Sequence, residues 1–266
     1  MVNLTRYFSN RPVVAVIRLN GVIAASARGG GGGLSDQTTA PAIERAFRSK
    51  PQAVALQINS PGGSPAQSAL IAARLRRLAE EHEVPVFAFC EDVAASGGYW
   101  LASAADEIYA DANTILGSIG VISAGFGLHE FIGRYGIERR VYTAGEDKSM
   151  LDPFRPERER DITRLKELQA DIHNNFIAQV KTRRGAKLAE ADLFSGEIFL
   201  GARAVEVGLA DGLGHLVPVM KHKLGEKVRF VGQRPRRSLA ARFGLPGIGA
   251  VAEAVENRAM WARYGL

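Results

Sequence analysis

Cysteine, tryptophan and methionine are scarce: one, two and four residues among 266. A single thiol, Cys90, excludes an intrachain disulfide and a cysteine-rich metal site. It lies in the apolar run Val84–Cys90 and reads as a buried, inert thiol. The five histidines are scattered without ligand spacing, so no metal site is expected. No uninterrupted apolar run reaches the roughly 18 residues of a membrane-spanning helix. Charge of one sign is also modest, +6 formally, which gives only a weak bias toward anionic partners. Arg6 and Arg11 precede an apolar stretch ending in small residues, as in a secretion signal, but Arg18 and Asn20 interrupt it. Two short strands, 13–17 and 21–24, account for that segment better.

What is present fits an ordinary globular chain, 46% apolar and 23% charged, which excludes wholesale disorder. Five consecutive glycines, Gly29–Gly33, break any regular element and read as a surface loop rather than a phosphate cradle. Apolar strands are expected at 53–59 and 84–90, and helices at 39–50, 65–83 and 96–105. That alternation argues an α/β protein with a covered parallel sheet. Further strands are expected at 107–110, 119–123, 139–143 and 228–231, with helical pieces at 128–135, 188–194, 202–207 and 216–223. A long helix over 157–183 carries Ile162, Leu165, Leu168, Ile172, Phe176, Ile177 and Val180 at helical spacing. Residues 1–231 read as one domain. Residues 232–266 read as an appended basic linker and amphipathic helical tail.

Two glycine-rich turns each follow an apolar strand: NSPGG at 59–63 and ASGGYW at 95–100. A serine at a helix start, here Ser96, either caps the helix or serves as a nucleophile whose oxyanion meets the following N–H groups. A nucleophile needs a base. His82, His173, His215 and His222 sit in charged or peripheral surroundings, and His129 is the one histidine placed to help. Lys148, in the loop GEDKS before the long helix, is the other candidate. Burial that lowers its pKa from about 10.4 toward 7–8 would make it a base. Asp147 would oppose this if it faced the ammonium, so its carboxylate must point elsewhere. An exposed loop lysine is the plain alternative.

Taken in order, VIRLNGVI, INSPGGS, ASGGYWLASAAD, ILGSIGVIS, GEDKSMLDPFRP and FSGEIFLGARAVEVGLADGLG resemble the signal peptide peptidase A (SohB-like) family of Ser-Lys peptidases. The resemblance covers residues 13–231. It implies a Clp-protease/crotonase-like spiral of β-β-α units. It further implies Ser96 as nucleophile, Lys148 as general base, Ser118 as the residue orienting the lysine, and Gly97 with Gly63 as the oxyanion hole. It implies no cofactor. It implies a homo-oligomeric ring or dome in which the serine and lysine of one site can come from adjacent subunits.

The expected function is therefore a serine endopeptidase acting on unfolded or membrane-derived peptides, remnant signal peptides among them. The alternatives are a crotonase-type acyl-coenzyme A enzyme and a non-catalytic scaffold of the same fold. The chain starts almost directly at its first strand, so a cytoplasmic location is expected. Arg234, Arg236, Arg237 and Arg242 ahead of Phe243 and Leu245 would allow peripheral contact at the inner membrane. The apolar C-terminus is a second docking element, directed at a neighbour or an active-site groove. Nucleic acid is not an expected partner, because the basic tail lacks interleaved aromatics.

Overall fold

Three near-continuous apolar runs form the centre of the protein: β1 (Val13–Asn20), β2 (Ala53–Ser60) and β3 (Val86–Ala95). The computed structural model describes residues 11–25, 33–145, 147–233 and 258–266. β1 pairs with β2, and β2 with β3, all parallel. Parallel pairing demands crossovers. These are α1 (Asp36–Arg48), started by a Ser35/Thr38 capping box, and α2 (Pro65–His82), with Ser64 as cap and Pro65 at its first position. α2 stops at Glu83, which adopts a left-handed conformation. α3 (Gly97–Ala102) follows β3 after one residue. β4 (Glu107–Ala110) and β5 (Ile115–Gly117) both pair parallel with β3, at its start and its end respectively.

β3 continues through residues 91–95, the segment between the strand expected at 84–90 and the helix expected at 96–105. The register with β2 shifts between Ile58 and Ser60, and side chains of β2 fill the irregularity. Asn59 Nδ2 donates to Asp92 (2.6 Å) and its Oδ1 accepts the Val93 N–H (3.2 Å), while Gln57 Nε2 donates to Glu91 (3.1 Å). The two acidic residues are exposed on a strand that is otherwise buried, so their polarity resembled a turn.

Residues 120–177 form a compact unit of their own. It contains α4 (His129–Arg134) and the first five turns of α5 (Glu159–Arg184). The strands expected at 119–123 and 139–143 are absent. Residues 139–143 are mostly exposed, Ile119 is the one buried position of 119–123, and neither segment finds a pairing strand among the described residues. An apolar alternation without a ladder partner does not make a strand. The last residues of α5 belong to the first unit, where Val180 is fully buried.

The remaining elements of the first unit complete the sheet. β6 (Ile198–Leu200) pairs antiparallel with β5 and leads directly into α6 (Gly201–Glu206). β7 (Gly212–Leu213) pairs with β4. α7 (Leu216–Leu224) precedes β8 (Arg229–Gln233), which adds to the free side of β1. The order is β6-β5-β3-β2-β1-β8, with β4 and β7 branching from β3. On one face Val14, Val16, Ala55, Phe87 and Phe89 pack against Leu216 and Met220 of α7. By strand alternation Ile17, Leu19, Leu56 and Ile58 face the other way, and all four are fully buried. The helix expected at 188–194 is replaced by a 3-10 turn, Gly185–Lys187, and an irregular stretch in which Leu193 is buried. The basic tail falls outside the described residues except for 232–233 and 258–266, of which 258–262 are helical.

Candidate active site

Ser96 occupies the single residue between β3 and α3, and its backbone is strained. Its φ of +51° and ψ of −122° suit glycine, not serine. Such a conformation costs about 1–3 kcal/mol and persists only where the surroundings enforce it. Here the Ser96 N–H donates to the Gly117 carbonyl (2.8 Å), and its carbonyl accepts the Trp100 N–H (3.0 Å). The hydroxyl makes no capping bond. The capping alternative therefore does not describe this serine. Gly97–Ala102 are all buried, whereas Ser96 is part-exposed.

The two glycine turns are pressed together, and the missing side chains make this possible. A Cβ on Gly62 would stand 2.8 Å from both the Gly97 nitrogen and the Ser96 Cβ. A Cβ on Gly97 would lie 2.5 Å from Ser68 Oγ, and one on Gly98 2.4 Å from the Ser60 carbonyl. Gly63 pairs with Ile23 in a parallel bridge. The bonds of that bridge run on either side of it: Ile23 N–H to Gly62 O (2.8 Å) and Ser64 N–H to Ile23 O (2.7 Å). In this geometry the Gly63 N–H turns away from Ile23. The Gly62 N–H is already engaged by Ser60 Oγ (3.3 Å).

Ser118 follows directly on Gly117, the residue that receives the Ser96 N–H. It too has a positive φ, +50°, and its N–H donates to the Glu197 carbonyl (2.7 Å). The fold thus gathers Ser96, Gly97, Gly63 and Ser118 around the C-terminal ends of β3 and β5. The contribution of Glu197 and the β5–β6 pair went unnoticed in the sequence. The FSGEIF segment carried the signal, since its Gly196 (φ +90°) and the following strand fix the carbonyl that holds Ser118.

Lys148 belongs to the second unit. Its loop is a series of turns: Lys148 N–H to Gly145 O (3.3 Å), Met150 N–H to Asp147 O (3.1 Å), Asp152 N–H to Ser149 O (3.3 Å). The side chain of Lys148 is exposed, and the Asp147 carboxylate pairs with Arg160 of α5. Asp161, buried at the start of α5, accepts the Leu151 N–H (3.4 Å) and two bonds from Arg158 (2.8 and 2.9 Å). The Arg158 bonds, ahead of the opposing cost of burial, hold the Asp161 carboxyl below the usual range. Beside the loop lies a cleft of about 540 Å³, with Phe126, Leu128, Leu151 and Pro153 among its walls.

Among the described residues no group of three or more histidine, cysteine or acidic side chains is placed to hold a metal ion. His129 is half-buried at the start of α4. Burial, with a smaller push from Glu91, raises the Cys90 thiol to about 12, which makes it inert.

Residues 79–227 match the model of Peptidase family S49. A curated Brucella melitensis protein named Na(+)/H(+) antiporter NhaA is 48% identical over 95% of this chain. The chain spans just over a third of that relative's length, 37%. The chloroplastic serine protease SPPA of Arabidopsis thaliana is 32% identical over 76% of the chain and 31% of its own length. Among solved structures, a 1510-N membrane-bound stomatin-specific protease in complex with a substrate peptide superposes with a TM-score of 0.53. It covers 88% of this chain and 97% of its own, at 15% identity. That likeness is one of fold, and it bears out the Clp-protease/crotonase-like architecture. With the family match spanning more than half of the sequence, the chain belongs to Peptidase family S49.

Proposed function

We propose that the chain is a serine endopeptidase in which Ser96 attacks the peptide carbonyl and Lys148 is the general base. The observation that carries this reading is the strained, part-exposed Ser96 with an uncapped hydroxyl, beside two glycine backbones. Neutral Lys148 takes the Ser96 proton as Oγ bonds to the carbonyl carbon. The resulting oxyanion accepts hydrogen bonds from the Gly97 and Gly63 N–H groups. The Lys148 ammonium then gives its proton to the leaving amine as the C–N bond breaks. Water, deprotonated by the Lys148 amine, then attacks the acyl-enzyme, and the Lys148 ammonium returns that proton to Ser96 Oγ as the ester C–O bond breaks. Ser118 orients the lysine.

A lysine acts this way only when desolvation disfavours its ammonium form. Lys148 is exposed on the single chain, so the reading calls for a cover. The unit that carries it supplies a reason for one. Phe126 is 86% exposed, Tyr142 92% and Ile122 67%. Apolar exposure of this kind marks an interface. A homo-oligomer, ring or dome, would bury these side chains and shelter the amine. The substrate class is an extended peptide from an unfolded or membrane-derived chain. The name of the antiporter relative suggests transport. Among the described residues, however, no helix is long and apolar enough to cross a membrane, and Peptidase family S49 membership favours hydrolysis over both transport and acyl-coenzyme A chemistry. A cytoplasmic location with peripheral membrane contact completes the reading; pelleting of the full chain with anionic liposomes tests the contact.

The deciding experiment is hydrolysis of dye-labelled unfolded casein from pH 6 to 10 by wild type, Ser96→Ala and Lys148→Ala at equal oligomer size. The expected result is loss of activity in both variants and a wild-type rate that rises through a basic limb. Activity surviving in Lys148→Ala rejects the dyad, and an inactive wild type favours a scaffold.

A further inference from the structure

We propose that Arg160 is a positioning residue for the Lys148 amine: by binding the Asp147 carboxylate it keeps that negative charge off the neighbouring ammonium. The inference rests on Lys148 being the base.

Asp147 directly precedes Lys148 in the chain. A carboxylate within about 4–6 Å of an ammonium favours the charged form. A charged lysine cannot accept the serine proton. The chain therefore places the wrong neighbour beside its base, and the fold gives that neighbour another partner. The Asp147 carboxylate is bound by the Arg160 guanidinium from the first turn of α5. Arg160 also stands 3.8 Å from the carboxylate of Asp161, the next residue. Asp161 in turn holds the far end of the lysine loop through the Leu151 N–H (3.4 Å). Leu151 has a φ of +58°, so that end is fixed in a conformation a leucine rarely takes.

Two consecutive residues of α5 thus grip the loop on either side of Lys148. Arg160 takes Asp147 before it, and Asp161 takes Leu151 after it. Further charged groups described at the loop are Arg155, which reaches Ser149 Oγ (3.2 Å), Arg158 on Asp161, and Glu157, which shares a cleft wall with Ser149 and Leu151. Asp152 at its end is tied to Arg139 (3.1 Å). Among the described carboxylates at the loop, Asp147, Asp152 and Asp161 are each paired with a guanidinium. The Asp147–Arg160 pair is itself exposed, 74% and 49%, so it adds little to folding stability. Its consequence is where the carboxylate points.

The test is the pH profile of kcat/KM on dye-labelled unfolded casein for wild type, Arg160→Ala, Arg160→Lys, Asp147→Asn and the Asp147→Asn/Arg160→Ala double variant. In Arg160→Ala the basic limb moves up by about half a unit to one unit, a loss of about three- to tenfold below it. Arg160→Lys keeps the limb near wild type, and the double variant brings it back. Asp147→Asn alone moves it down, because the Arg160 cation is then uncompensated; this variant keeps the test open if Arg160→Ala does not fold. A limb unmoved in Arg160→Ala, still displaced in the double variant, or unmoved in Asp147→Asn overturns the inference. Lys148→Ala separates the two levels. If it is active, the base assignment fails. If it is inactive and the limb does not respond to Arg160, only the positioning role fails.

Discussion

The Ser96 amide donates to the Gly117 carbonyl at 2.8 Å, which ties the turn after β3 to the end of β5. Ser118, one residue on, is therefore held at a fixed place relative to Ser96, and the Glu197 carbonyl locks it from the other side. In the proposed mechanism its hydroxyl orients the lysine rather than attacking substrate. Ser118→Ala is expected to lower kcat about ten- to a hundredfold with KM little changed, a part of what a general base supplies. Steady-state kinetics on a peptide substrate checks this. A change confined to KM would place Ser118 in substrate binding instead.

Gly63 is the least replaceable residue of the first glycine turn. A Cβ there would lie 2.0 Å from the Ile23 carbonyl, at a φ of +137°. The bridge to Ile23 must open to admit it, and with it the backbone that presents the Gly63 N–H. Gly63→Ala is expected to cost about 2–4 kcal/mol of stability, together with most of the activity. Denaturant melts followed by circular dichroism give the first figure. An alanine variant with wild-type stability would show that this turn adjusts freely.

The sheet and the serine half of the site were largely legible in the sequence, and the reason is local. The strands open on the apolar runs Val13–Ile17, Ala53–Leu56 and Val84–Cys90, and Gly21, Pro61 and Gly97 follow their ends within two residues, so pattern and punctuation agree. Ser96 and the two glycine pairs stand out because strand–glycine–helix junctions are sparse in any chain. What lay hidden depends on partners distant in sequence. Residues 91–95 became strand because Asn59 and Gln57 of β2 satisfy the shifted register. Residues 139–143 alternate like a strand and have no ladder to join. The Arg160–Asp147 pair was likewise invisible, because its members lie thirteen positions apart, on a loop and a helix.

The exposed apolar residues of the second unit bear on whether the proposed mechanism draws Ser96 and Lys148 from one chain or two. Phe126, Phe131, Tyr135 and Tyr142 are each more than half exposed, and in α5 Leu168 of the expected apolar stripe is 36% exposed. Mixing inactive Ser96→Ala with inactive Lys148→Ala, after dissociation and reassembly, is expected to restore up to about a quarter of wild-type activity, as random assortment around a ring gives when each site draws on two neighbours. Fluorogenic turnover of the mixture reads it directly. Failure to regain activity, with subunit exchange verified by native mass spectrometry, would assign the serine and lysine to one chain.

Asp211 sets the acid limit of the fold. Arg184, whose side chain is 1% exposed, donates to it (2.6 Å) and to the Gly208 carbonyl (2.9 Å), while the Ile108 N–H (2.8 Å) and Lys187 (2.7 Å) complete its shell. Burial opposes the charge on Asp211, but the bonds from Arg184, Lys187 and Ile108 outweigh it and hold its carboxyl below the usual range. A folded-state pKa below the unfolded one contributes stability above the unfolded value, about 3.9, and loses it as pH falls through the folded value. Urea midpoints should therefore hold steady from pH 7 to 5 and fall below pH 4. Asp211→Asn should cost about 3–5 kcal/mol at pH 7, since it leaves the Arg184 cation buried without its counter-charge, and should flatten the acid dependence. The Tyr99 hydroxyl donates to the Leu209 carbonyl (2.8 Å), two residues before Asp211, so loosening this network loosens the anchor of α3, the helix that Ser96 begins. The Asn variant is accordingly expected to lose activity at temperatures well below its own melting point. An Asp211→Asn protein with unchanged acid sensitivity would move the origin of that sensitivity to carboxylates such as Asp161, buried and held by Arg158.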